Sequence, residues 1–228
     1  MKKLFLIVSC ICSMQIASAQ NAEELIKKVK AKIDLVNNYE ADGIMKTNVT
    51  FLKVPEAQVK IYFKKPNLLK IKNEKGISFV PKGAVSINLN NIISGNQYTV
   101  IDAGYEKNGN IKTRVVKLLP TDDNADVVLS TLYIDETNLV IVKAKTTTRE
   151  NGSYQLDMTF GKYITYGLPD KIIFTFNTKD YKLPKGVTFD FDDGTNTGKP
   201  AEKNKNGKAE ISFNAYTINK GVADSFFK

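Results

Sequence analysis

The amino-acid sequence predicts a mainly β protein of the α+β type, in which one N-terminal amphipathic helix lies on a large antiparallel sheet. Three observations carry that prediction. One segment near the start has helical periodicity, the rest alternates apolar and polar residues with a period of two, and turn-forming clusters separate the alternating stretches.

The chain opens with Met1-Lys2-Lys3, an apolar run from Leu4 to Ile16, and Ala17-Ser18-Ala19 before Gln20. A basic start, a short apolar core and a small-x-small cleavage site are the three parts of a secretory signal. The run falls short of the ~20 apolar residues a bilayer span needs, and no later run approaches that length, so no transmembrane anchor is expected. Cleavage after about Ala19 leaves residues 20–228 as a single exported domain, placed in the periplasm by the bacterial look of the signal. Ile7-Val8-Ser9-Cys10 offers a second reading, a lipobox that would put a lipid on Cys10. It shortens the apolar core below the ~7–15 residues expected, which favours cleavage at Ala19.

That cleavage removes Lys2, Lys3 and both cysteines, which lowers the net charge of +9 by two and leaves a chain without Cys, His or Trp. Without histidine there is no Ser-His-Asp or Cys-His machinery and no His-ligated zinc. Without cysteine there is no thiol catalysis and no disulfide, so packing alone must hold the domain together. Carboxylate or lysine chemistry would need a positioned pair. The reading is therefore non-catalytic, with no cofactor and no metal. The lysines are spread, densest at Lys27-Lys28-Val29-Lys30 with Lys32, at 60–75 and at 199–208. Such charge favours acidic partners, anionic lipid head groups among them, and a solvated surface is the plainer reading.

Asn21 with Glu24 has the capping-box pattern, and Leu25, Ile26, Val29, Ile33 and Val36 recur at helical spacing. The helix is expected to run to about Asn38. Strands follow: Val59, Ile61 and Phe63 alternate with Lys60, Tyr62 and Lys64 until Pro66. The same pattern returns at Leu156, Met158 and Phe160, at Val187, Phe189 and Phe191, and at Ile211 and Phe213. Turn signals stand at 107–110, 135–138, 150–153 and 168–170. Ten or eleven strands in antiparallel order result, with no repeat and no second domain. The segment 76–95 is apolar and glycine-punctuated, and 192–208 reads as a long loop. A sheet of this size with one apolar face curls into a barrel or half-barrel, with the helix and the 76–95 segment available as a lid over an apolar cavity.

Two motifs fail on spacing. Gly194 to Lys199 has one residue too few between its glycines for a P-loop, and Pro200 where Ser or Thr is required. Asp190 to Gly194 places glycine one position early for an EF-hand and reads as a turn, as does Asp122-Asp123-Asn124 with Asp126. The sequons at Asn48 and Asn151 matter only in a eukaryotic secretory route. Lysines interleaved with aromatics at 60–65 are ordinary strand alternation, so no nucleic acid is expected as a partner.

The run Val59-Lys60-Ile61-Tyr62-Phe63-Lys64-Lys65-Pro66-Asn67-Leu68-Leu69-Lys70, after a signal, an amphipathic helix and a long strand from Tyr39, resembles the periplasmic outer-membrane lipoprotein carrier family, with the LolA/LolB-like fold. Leu132-Tyr133-Ile134-Asp135, Asn151-Gly152-Ser153-Tyr154, Met158-Thr159-Phe160-Gly161, Gly167-Leu168-Pro169-Asp170 and Asp180-Tyr181-Lys182-Leu183-Pro184 are similar to the second half of a Bacteroidetes-type branch. Lys70 stands where the family's turn carries Arg. The resemblance implies an open half-barrel of about eleven strands with a helical lid over a cavity that shields acyl chains. It implies acylated lipoproteins or lipids as ligands, membrane-associated donor and acceptor proteins as partners, and a monomer. The lining expected is Met45, Val59, Ile61, Phe63, Leu69, Ile71, Leu156, Met158, Phe160, Phe174 and Phe176, with a filled core the alternative for each. Two rival classes remain: an envelope interaction or stress-sensor module with a filled interior, and an enzyme with paired carboxylates such as Asp157 and a neighbour.

Overall fold

A computed structural model describes residues 21–49, 52–53, 56–66, 68–73, 97–150, 152–177 and 206–227. The signal and lipobox readings, the 76–95 segment, the strand expected at 187–191 and the glycine-rich motifs at 190–200 lie outside them. The helix, α1 (residues 21–33), is followed by β1 (Asn38–Val49), β2 (Leu52–Lys53), β3 (Ala57–Lys64), β4 (Leu68–Asn73), β5 (Tyr98–Asn108) and β6 (Ile111–Pro120). Then come β7 (Val127–Asp135), β8 (Val140–Thr148), β9 (Ser153–Thr159), β10 (Lys171–Asn177) and β11 (Asn206–Ile218).

All eleven strands form one antiparallel sheet in the order β4-β3-β1-β11-β10-β9-β8-β7-β6-β5, with β2 paired to β1 off that path. The sheet is open: β4 and β5 are its edges, and no ladder joins them among the described residues. The expected mainly β, open-sheet architecture with one covering helix is what the chain adopts. Among the described residues, no helix is long and apolar enough to cross a membrane.

Helix α1 lies on one face of the sheet through the stripe the sequence predicts. Ala22, Leu25, Ile26 and Val29 are buried against Val116, Leu118, Leu132, Ile134, Ile141, Leu156 and Phe174. Each fully buried aliphatic chain here contributes about 1.5–3 kcal/mol. The helix stops at residue 33 rather than near Asn38. Its last turn tightens, Leu35 N–H donating to the Lys32 carbonyl and Val36 N–H to that of Ile33. Beyond it Leu35 is 54% exposed, and Asn37 and Asn38 are held elsewhere. Both main-chain N–H groups donate to Asn219 Oδ1, at 2.8 and 3.3 Å, and the Asn219 side-chain amide donates to the Leu35 carbonyl. Asn21 is already helical, so a cap at the helix start falls outside the described residues.

The turns expected at 107–110 and 135–138 form as read. Asn108 pairs with Ile111 across a two-residue loop in which Gly109 has φ +61°. Asp135 closes the β7–β8 turn by accepting from the Thr137 N–H at 2.9 Å and from the Asn138 side chain at 2.7 Å. Asp122 likewise accepts from the Asn124 N–H, and Arg149 donates to the carbonyls of Asp123 and Ala125, so the acidic run at 122–126 is a structural turn.

One irregularity decides which residues meet. Between Asp42 and Gly43 the pairing of β1 with β11 shifts, so that Asp42 faces Ala215 while Gly43 faces Phe213. The residue skipped is Asn214, and beyond it the alternation of β11 inverts. Phe213 and Tyr216, which strict alternation would place on opposite faces, therefore lie on the same one. Gly43 permits the close approach: a Cβ there would sit 2.7 Å from the Ser212 carbonyl oxygen.

Candidate functional site

The buried apolar residues of the helix-covered face divide into two clusters. The larger lies under α1. The second is built on β1, β3 and β11, from Ala41, Met45, Val59, Ile61, Phe63, Ile211 and Tyr216, with Val36 and Leu168 closing it. An apolar cleft of about 70 Å³ opens in this second cluster, at the end of the sheet where β1 starts, β3 ends and β4 begins.

Three walls make it. Ile33 and Val36 come from the end of α1 and the linker after it. Ile61, Phe63, Leu69 and Ile71 come from the β3–β4 hairpin, where Phe63 faces Leu69 and Ile61 faces Ile71. The third wall is the turn between β9 and β10, with Tyr166, Gly167, Leu168 and Pro169, and the floor is Ile172, Ile211, Phe213, Tyr39 and Tyr216. The turn is fixed to the sheet by hydrogen bonds. Tyr216 donates its hydroxyl to the Pro169 carbonyl at 2.7 Å, the Tyr216 N–H donates to the Tyr163 hydroxyl, and the Phe213 N–H donates to the Asp170 carbonyl. Gly167 ends a short 3₁₀ turn at φ +66°, a conformation glycine adopts at no steric cost.

Tyr39, Phe63, Tyr163, Phe213 and Tyr216 form a continuous aromatic group. Tyr216 meets Tyr163 and Tyr39 edge-on, at 4.9 and 5.3 Å between ring centres, and stacks on Phe213 at 5.0 Å. Burial pushes the Tyr39 phenol well above the ordinary tyrosine range. The Tyr216 phenol is pushed up by burial first, with Tyr39, Asp170 and Tyr163 adding to the rise. Both phenols are therefore neutral donors throughout the physiological range.

Of the residues expected to line the cavity, Ile61, Phe63, Leu69 and Ile71 line this cleft. Met45 and Val59 belong to the same cluster, 3% and 2% exposed, but do not reach its surface. Leu156, Met158, Phe174 and Phe176 are packed in the other cluster, with α1. Phe160 lies past the end of β9, half-buried, between the larger cluster and a small one on the opposite face. Asp157, the carboxylate named for an enzyme, faces away from the cleft and accepts from the Gln155 amide at 2.6 Å. Sequence reasoning missed Tyr39, Tyr216 and the 166–169 wall. The turn signal at Leu168-Pro169-Asp170 marked the wall's position, but nothing local marks the two tyrosines, which come together only through the β1–β11 ladder.

No cation or carboxylate lines the cleft among the described residues, and these residues contain no grouping of three or more acidic side chains suited to a metal ion. The arrangement offers apolar contact and phenolic hydrogen bonding.

No family model matches the chain, and no curated protein matches it in sequence. Solved structures match it over almost its whole length. A domain assigned to outer membrane lipoprotein sorting from Vibrio parahaemolyticus superposes with a TM-score of 0.60 at 10% identity, covering 92% of this chain and 97% of the other. A DUF1329 family protein from Desulfovibrio piger gives 0.60 at 11% identity over the same shares. A LolA superfamily protein from Nitrosomonas europaea gives 0.57 at 11%, over 91% and 97%. At such identity the likeness establishes a shared fold.

Proposed function

From the LolA-like fold of this chain, we propose that it is a non-catalytic carrier or binding protein for acylated lipoproteins or lipids, exported to the periplasm. The observation that carries the proposal is the uncharged apolar cleft between the helix end, the β3–β4 hairpin and the β9–β10 turn. Acyl chains are the ligand class that fits such walls, because each CH2 removed from water contributes about 0.8 kcal/mol. The solved structures of the same fold include one assigned to lipoprotein sorting, which agrees with this reading. Membrane-associated donor and acceptor proteins are the partners it requires, since a carrier must be loaded and emptied.

A second reading has one observation in its favour. The cleft holds about 70 Å³, against the ~300–1,000 Å³ of sites that enclose a small ligand. A nearly filled interior is what an envelope interaction or stress-sensor module would have. Native mass spectrometry of the mature protein, with lipid extraction, separates the two. A bound acylated species displaced by a fluorescent fatty-acyl probe is the expected result. A lipid-free protein that ignores the probe would sink the carrier reading and leave the interaction module.

A further inference from the structure

We propose that Tyr39 is the polar handle of the cleft: its hydroxyl donates a hydrogen bond to the uncharged carbonyl of an ester- or amide-linked acyl chain, so the cleft prefers such chains to ionised fatty acids. The proposal rests on the carrier reading above and adds the residue that reads the ligand's head and the chemistry it accepts.

Three tyrosines line the cleft, and their hydroxyls differ. Tyr216 already donates to the Pro169 carbonyl at 2.7 Å. Tyr166 is 42% exposed at the mouth, where water can pair it. Tyr39 lies on the floor, its ring 5.2 Å from Phe63 and 5.3 Å from Tyr216, and its hydroxyl has no hydrogen-bond partner among the described residues. Tyr39 is partly buried and its hydroxyl is within reach of water. A chain that fills the cleft displaces that water and must supply an acceptor in its place, since hydroxyls sealed from water are paired in most proteins. A ligand acceptor at the cleft floor would restore the pairing.

The sign of the charge around it fixes the kind of acceptor. A carboxylate carried to Tyr39 would enter a site without a cation, and an unpaired buried charge costs far more than an unpaired dipole. The alkyl stem of Lys32 passes close to Gly167, but its ammonium donates to the Asn138 carbonyl. A neutral ester or amide carbonyl carries acceptor lone pairs without that penalty. The phenol, held protonated by its burial, is a donor over the whole pH range in which such a ligand would be carried.

The test uses the full mature chain and three probes: N-phenyl-1-naphthylamine as a headless apolar reporter, 1-monopalmitoylglycerol, and palmitate at a pH where it is ionised. The expected result is displacement of the reporter by the ester at lower concentration than by palmitate. Tyr39→Phe keeps the ring contacts and is expected to weaken the ester by about five- to ten-fold, the worth of one hydrogen bond. Affinity for the reporter and for palmitate should not change. Tyr105→Phe, an exposed tyrosine on edge strand β5 that takes no part in the cleft, should leave all three affinities alone and serves as the matched control. If Tyr39→Phe binds the ester as the natural chain does, or palmitate competes as well as the ester, the handle is refuted and the carrier reading stands. If none of the three binds, the carrier reading fails and the handle fails with it.

Discussion

Tyr216 touches three parts of the molecule at once. Its hydroxyl bonds the β9–β10 turn through Pro169, its main-chain N–H bonds Tyr163, and its ring packs on Tyr39 and Phe213. Replacing it by phenylalanine keeps the packing and strands the buried Pro169 carbonyl, which costs about 1–3 kcal/mol. Urea denaturation of Tyr216→Phe near neutral pH measures that loss; a midpoint equal to the natural protein's would show the bond has no net worth. The same variant reports on pH. In the unfolded chain both Tyr39 and Tyr216 lose their protons near 10.0, whereas burial keeps them protonated in the folded one. Above that pH the unfolded state binds fewer protons, so this contribution to stability is fully present below pH 10 and is lost as pH rises past it. Every other residue is common to variant and natural chain. The decline between about pH 9 and about pH 11 should therefore be shallower in Tyr216→Phe, and identical slopes would contradict the assignment. None of this was legible from the sequence, because Tyr216 reaches the cleft face only after the skipped Asn214 inverts the alternation of β11.

Elements were legible where one face meets the core and the other meets water. That holds for β9 and β10, whose buried residues alternate, and for β3 up to Ile61, after which Tyr62 and Phe63 are buried as well. It fails for the middle of β6, the end of β7 and the start of β8, where neighbours such as Val115 and Val116, Tyr133 and Ile134, or Val140, Ile141 and Val142 are all buried. There Val115, Tyr133, Val140 and Val142 form a third cluster on the face away from α1, against Phe160 and Ile164. The end of α1 was misread for a similar reason: Val36 is buried as the helical period requires, but it is delivered by a linker, held by Asn219, whose bonds come from the far end of the chain. That same end forms a strap outside the cleft. Phe226 stacks on Tyr62 with ring centres 4.4 Å apart, Lys72 lies over both rings, and Lys64 pairs with Asp224 at 2.6 Å. The exposed ion pair adds little, so the stacked rings, worth about 0.5–1.5 kcal/mol beyond their buried area, are the main bond. Phe226→Ala should therefore speed hydrogen exchange at Lys70 to Lys72 of β4 while leaving β9 and β10 unchanged. Equal protection of β4 in both proteins would mean the strap does not brace that wall.

At the scale of the whole molecule, the open sheet leaves two edges, and each is defended against pairing with another chain. Edge strand β4 carries Lys70 and Lys72. Edge strand β5 is broken by a bulge between Asp102 and Tyr105, where Gly104 takes φ +80° and Asp102 accepts both the Gly104 N–H and the Arg114 guanidinium. Strand number and the single helix pointed to a barrel or half-barrel, and the resemblance to the carrier fold implied the open form; the width of the cleft was not legible, because it depends on how nearly the facing side chains meet. At about 70 Å³ the cleft must widen before a chain enters, and the wall with the least to hold it is β4, which among the described residues pairs with β3 alone and is otherwise braced by the strap. Its Leu69 is half-buried and faces the cleft. Leu69→Ala separates a cavity awaiting a ligand from a core that is merely imperfectly filled. Both readings predict a loss of stability on the order of 1–2 kcal/mol, less than the ~2–5 of a fully buried leucine. Only the carrier reading predicts an opposite change in binding. The larger cleft lowers the cost of widening, so a greater fraction of molecules is competent to bind and affinity for a monoacylglycerol should rise several-fold. Paired denaturation and displacement titrations decide the matter. Stability and affinity moving in opposite directions identifies a ligand cleft, whereas lower stability with affinity unchanged or lower means that Leu69 is ordinary core.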